Sequence, residues 1–153
     1  MISTSPDIEN LTLTLTSEVR VNASIEITFE SLLEQLVDNE KSDGTKMPMK
    51  LEAWPGGRWY RDLGDNNGHL WAHVQAIKRP TLLEFTGPLM MSNAVSNNVQ
   101  YRLSEEDGVT VIRFCHSAFG MIHEDHRQGV SGGWNHINNR IRQRAEKKAG
   151  SGQ

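Results

Sequence analysis

A single cysteine, Cys115, is all that the 153 residues contain. It can form no internal disulfide, so nothing points to an oxidising compartment. Long apolar runs are missing as well. None approaches the roughly 18 residues that a membrane span needs, and hydrophobic residues make up only 37% of the chain. Charge of one sign is scarce. The formal net charge of −3 is too near neutral for a general nucleic-acid binder, which offsets phosphates with a basic footprint. The polar start, Met1 to Asn10, has no basic stretch ahead of an apolar one and is not read as a secretory signal. There is no phosphate loop, dinucleotide fingerprint or serine nucleophile elbow. The expectation is one cytoplasmic domain with no membrane span, no nucleic-acid partner and no cofactor.

What is present is periodicity. Leu11, Leu13 and Leu15 alternate with Thr12, Thr14 and Thr16, the pattern of a half-buried strand that continues through Val19 and Val21. Ser24 suits a helix N-cap. Behind it Ile25, Phe29, Leu32, Leu33 and Leu36 recur at helical spacing, which predicts a helix over 24–38. Further strands are expected at 47–54, 58–63, 69–77, 81–86, 99–103 and 109–116. Their punctuation is Pro55-Gly56-Gly57, the Gly64 to Gly68 turn, Arg79-Pro80, Gly87-Pro88 and the Glu105 to Gly108 hairpin turn. The stretch 90–98, small and polar, is read as a loop. From about Glu124, Val130, Trp134, Ile137, Ile141 and Ala145 mark one stripe of a long helix. Acidic residues sit at its start and Arg140 to Lys148 at its end, which complements the helix dipole.

Strand, helix, six strands and a long helix make an α+β fold. About seven antiparallel strands present one large apolar face, and only the last helix is big enough to cover it. The expected architecture is a curved antiparallel sheet wrapped around the long C-terminal helix, with Pro55-Gly56-Gly57 at the bend. The domain is expected over 11–149, with a disordered arm over 1–10 and a frayed tail over 150–153.

Strand-Pro55-Gly56-Gly57-Arg58-Trp59, then Val74-x-x-Ile77-x-x-Pro80-x-x-Leu83-x-Phe85-Thr86, then Gly133-Trp134 near the start of the last helix resemble the START-like helix-grip (SRPBCC) superfamily. Within it the chain is most similar to the branch named for the activator of Hsp90 ATPase, homologue 1-like. The resemblance covers roughly residues 11–147. One departure is the short polar stretch after the first helix, where many relatives carry a second short helix. The resemblance implies a cavity between sheet and last helix that holds a small hydrophobic molecule. It also leaves room for a polyketide cyclase- or hydrolase-type enzyme and for a cochaperone-like interaction protein, because a fold does not choose a function.

The candidate ligand-binding residues are Trp54, Phe85, Tyr101, Phe114, His116 and Trp134, an aromatic wall with one polar contact. Each is also an ordinary core candidate. Trp134 lies on the stripe facing the sheet, and its indole N–H wants a partner. His116 is the one weak acid–base candidate, because histidine titrates near neutrality. His69, Trp71 and His73 share a strand face. Ala72 and Val74 compete for the core, which would turn the other three outward, either as a surface without function or as a face for a homodimer. His123 and His126 lack the third and fourth ligands of a zinc site, so no metal is expected. Cys115 has no activating neighbour.

Overall fold

The computed structural model describes residues 8–41 and 43–151. Strand β1 (Thr12–Val21) turns its leucines and Val19 to the core, as the alternation requires. Helix α1 (Ile25–Val37) follows, and the Ser24 hydroxyl accepts the Ile27 N–H at 3.2 Å as its N-cap. Its β-branched start is held by Thr28, whose hydroxyl donates to the Ser24 carbonyl. Phe29, Leu32 and Leu36 form the buried face. Then come β2 (Lys50–Leu51), β3 (Arg58–Gly64), β4 (Asn67–Lys78), β5 (Leu82–Gly87), β6 (Val95–Glu106), β7 (Val109–Gly120) and helix α2 (Glu124–Ser151). All seven strands form one antiparallel sheet in the order β1-β7-β6-β5-β4-β3-β2. The sheet is open and curved, and the long helix makes this an α+β helix-grip fold. Helix α2 packs on α1 and β1, burying Val130, Trp134, Asn138, Ile141 and Ala145.

Two hairpins use left-handed pairs, Asp65-Asn66 and Asp107-Gly108, as tight turns between twisted strands require. Three element expectations need correction. The strand over 47–54 shrinks to Lys50–Leu51. The N–H groups of Met47 and Met49 turn instead to the carbonyls of Asn39 and Val37 at the end of α1. The loop over 90–98 gives way at Val95, where β6 already pairs with β7. The polar run Ser96-Asn97-Asn98 hides that strand, although Asn97 is buried. Strand β7 runs past His116 to Gly120.

At the ends, residues 1–7 of the expected arm and 152–153 of the expected tail lie outside the described residues. Ile8–Leu11 form a 3-10 turn. Its Asn10 carbonyl and that of Thr12 both accept from the Arg127 guanidinium, which ties this stretch to α2. Helix α2 itself continues through Gly150 to Ser151.

Strand β4 holds the largest surprise. Trp59 pairs with Ala72 and Tyr60 with Leu70, so Trp71 is the extra residue of a bulge. A bulge swings the extra side chain off the regular alternation, and Trp71 and Ala72 are both buried. The outward face of His69, Trp71 and His73 therefore does not form. Trp71 is only 6% exposed, while His73 stays exposed and His69 half-buried. A homodimer on that face loses its apolar centre. A second irregularity follows Val74. There Val74 exchanges backbone hydrogen bonds with Gly56 and Gly57, so the Pro-Gly-Gly segment stands in for the missing part of β3.

The bulge also explains Gly87. A Cβ there would lie 2.4 Å from the Trp71 carbonyl oxygen and 2.6 Å from the Ala72 Cα. Both are backbone atoms that cannot step aside. Gly87→Ala is expected to cost about 1–3 kcal/mol, the usual range for overpacking, read as a lowered urea midpoint. Gly132→Ala, where a Cβ meets nothing within 4 Å, should instead stabilise by about 0.5–1 kcal/mol through helix propensity. Equal effects at the two positions would contradict this account.

Candidate functional site

The palm between sheet and helix is occupied by buried side chains. Tyr101, Phe114 and Trp134 stack in sequence, with ring centroids 5.0 and 4.9 Å apart. His116 is fully buried beside them. The Trp134 indole N–H donates to His116 Nδ1 at 3.0 Å, and His116 Nε2 lies 2.7 Å from Asn97 Oδ1. An acceptor Nδ1 fixes the neutral tautomer with its proton on Nε2, which donates to Asn97. The Asn97 amide nitrogen in turn donates to the carbonyls of Gly87 and Pro88. A second buried link joins the Tyr101 hydroxyl to Asn138 Oδ1 at 2.7 Å. Burial raises the Tyr101 pKa and pushes that of His116 down to about 4. His116 thus has both nitrogens hydrogen-bonded within the protein and carries no charge at neutral pH.

Of the six candidate residues, four are thus brought together: Tyr101, Phe114, His116 and Trp134. Phe85 belongs to the same core but packs edge-on to Trp59, with ring centroids 5.0 Å apart. Trp54 is 58% exposed, just before the Pro-Gly-Gly bend, and is not part of that core.

Empty space lies beside the palm. A groove of about 480 Å³ runs along the N-terminal half of α2. Met47, Trp71, Met90, Val130, Trp134 and Ile137 line it with carbon. Gly129, Gly132 and Gly133 leave the helix side bare, and a Cβ on any of them would meet nothing within 4 Å. At the rim, the Glu40 carboxylate faces Lys46, His136 and Arg140 at 3.2–3.4 Å. Desolvation pushes its carboxyl up, but the Lys46 hydrogen bond and the charges of Arg140, Lys46 and His136 outweigh that and hold it below the ordinary value. Three residues lining the groove have a buried side-chain atom with no hydrogen-bond partner, Trp71 Nε1, His126 Nδ1 and His136 Nε2, the last lying 3.4 Å from the Glu40 carboxylate. Only Trp134 is shared between the groove and the six expected residues. The missed signal was in α2: glycines at i, i+3 and i+4 fall on one face of a helix that gains nothing locally from them.

Among the described residues no group of three His, Cys, Asp or Glu side chains could hold a metal, and no helix is long and apolar enough to cross a membrane.

This architecture places the chain in the helix-grip (SRPBCC) class. Residues 22–146 match the family described as Activator of Hsp90 ATPase homolog 1-like protein, and the chain belongs to it. No curated protein matches the chain. Solved structures share the fold. A protein from Mesorhizobium loti superposes with a TM-score of 0.68 at 17% identity, over 88% of this chain and 98% of its own. One from Rhizobium leguminosarum gives 0.66 at 17% identity, over 89% and 95%. The di-domain ARO/CYC StfQ from the steffimycin biosynthetic pathway gives 0.67 at 10% identity, over 94% of this chain but only 53% of that one.

The buried His116 predicts a pH dependence. The folded pKa lies below the ordinary 6.5, so between about pH 6.5 and 4 the unfolded chain binds a proton that the folded chain excludes. Its contribution is complete above pH 6.5 and is lost as the pH falls towards 4. A shift from 6.5 to about 4 corresponds to roughly 3 kcal/mol. Urea unfolding at pH 7 and pH 4.5 should show this loss in the parent. In His116→Gln the loss across that window should be much smaller, and an unchanged one would rule His116 out as its source.

Proposed function

We propose that the protein binds a small hydrophobic or aromatic molecule, held in the groove between the N-terminal half of α2, Trp71 and the two methionines Met47 and Met90. One observation carries this reading: an apolar groove whose helix wall is kept bare by glycines that nothing in the packing requires. Each glycine in a helix interior costs about 0.8–1 kcal/mol relative to alanine, and no neighbour of Gly129, Gly132 or Gly133 excludes a side chain. A ligand that lies against the helix backbone gives them a purpose. Methionines suit such a wall because their flexible thioethers adapt to the bound shape.

The catalytic alternative, a cyclase- or hydrolase-type reaction, needs an acid or base at the ligand. His116 is engaged at both nitrogens, whereas Glu40, paired with Lys46, His136 and Arg140, is a partnered carboxylate that lines the groove and keeps this alternative open. The cochaperone-like alternative needs an exposed surface. Trp71 is buried, and at the basic end of α2 Arg144 and Lys148 are ion-paired to Asp38, Glu30 and Glu34 of the α1 region.

Titration with N-phenyl-1-naphthylamine, which fluoresces in apolar sites, tests the binding reading. Saturable one-to-one binding is expected, with native mass spectrometry of the purified protein showing any co-purifying small molecule. Gly129→Leu, which fills the groove, should weaken probe binding at least about tenfold, since an obstructed pocket loses more than 1.4 kcal/mol of contact. Its melting temperature should stay at or above the parent value. Unchanged probe affinity in Gly129→Leu would remove the groove from consideration.

A further inference from the structure

Three tryptophans are buried: Trp59, Trp71 and Trp134. An indole N–H is a donor only, and burying it without an acceptor is unfavourable. Trp59 donates to the Leu36 carbonyl at 2.9 Å. Trp134 donates to His116. Trp71 Nε1 alone among them has no partner, and it belongs to the residue that lines the groove. The backbone holds it there. Trp71 is the bulged residue of β4, its carbonyl accepts the Leu89 N–H at 2.8 Å, and its ring packs edge-on to Trp59 at 5.1 Å.

We infer that the ligand of this groove is an apolar ring compound carrying a carbonyl or comparable oxygen acceptor, and that Trp71 is the residue that selects it, by donating its indole N–H to that oxygen. This rests on the binding reading above and narrows it. The body of the ligand is apolar because Met47, Met90, Val130 and Ile137 face it. It lies close to α2 because Gly129, Gly132 and Gly133 remove the side chains that would hold it off. It bears an acceptor because a hydrocarbon in the same place would leave the indole N–H dry and unpaired. His126 Nδ1, also buried and unpartnered beside the groove, gives a second polar group on the ligand somewhere to bind.

The test compares two isosteric probes, 2-acetylnaphthalene and 2-isopropenylnaphthalene, which differ by C=O against C=CH2. The full chain should bind the ketone about 5- to 10-fold more tightly, the effect of pairing a buried donor, although the hydrocarbon is the more hydrophobic of the two. In a 15N-labelled sample, one buried indole N–H resonance should move downfield with the ketone and not with the alkene. Trp71→Phe keeps an aromatic ring and removes the donor; it should lose the ketone preference and bind the alkene at least as tightly as the ketone. Because this variant also loses packing against Trp59, its folding is checked by thermal melt, and the comparison in the parent protein stands without it. If both probes bind the parent equally, or the alkene more tightly, the acceptor inference is overturned and the binding reading survives. If neither binds, both fall. A ketone preference that persists in folded Trp71→Phe would assign the selection to another group and overturn the role of Trp71.

Discussion

The fold depends on a polar thread through its apolar centre. Trp134 on α2 donates to His116 on β7, His116 donates to Asn97 on β6, and Asn97 donates to the backbone at the end of β5. Each member is buried, and each hydrogen bond fixes a direction that hydrophobic contact alone leaves free. A packed core tolerates small slides of a helix over a sheet. A chain of buried donors and acceptors does not, because a shift that breaks one bond strands a polar group in a dry interior. Tyr101 and Asn138 make a second such link one helical turn further along. Between them the two links set both the height and the rotation of α2 over the palm.

That arrangement decides where a ligand can go. Side chains that hold the helix in register also occupy the space beneath it. Free volume is displaced towards β4 and the α1 end, where the helix carries glycine and the sheet carries a bulge. The cavity that a helix-grip fold suggests is therefore beside the grip. Phe114 and Tyr101, aromatic candidates for a ligand wall, are buried in the palm and do not line the groove.

Much of this was legible in the sequence, and the failures have particular causes. The alternation Leu11-Leu13-Leu15 and the stripe Val130-Trp134-Ile141-Ala145 forecast β1 and α2 because one face of each is apolar and the other is not. The capping serine of α1 was visible for the same kind of local reason. Asn97 and Asn138 were not, since a polar residue at a core position breaks the pattern that identifies the core, and only three-dimensional partners reveal its satisfaction. Trp71 was misplaced because a strand period of two assumes a regular ladder. One inserted residue reverses the facing of its neighbours, and nothing local to His69-Leu70-Trp71-Ala72 announces the insertion. The groove was missed for a related reason. Aromatic residues draw attention in a sequence, whereas a groove made by the absence of side chains leaves only glycines, which are ordinarily read as turns.

Departures from local rules are the most informative residues left once the fold is understood. They fall into two groups here. In the palm, the buried histidine, asparagines and tyrosine violate the preference for apolar cores, but each finds its partner, so the violation closes on itself. Around the groove the departures stay open. Glycines interrupt a helix without any neighbour demanding it, and a buried indole N–H has no acceptor. Natural sequences lose stability through such features, and nothing inside the fold returns it. A second molecule would resolve both at once, by lying where side chains are missing and by accepting the hydrogen that the protein leaves unpaired. These unresolved features cluster in one place, away from a centre whose own polar groups are satisfied, and that clustering is why we propose the groove, and not the palm, as the binding site.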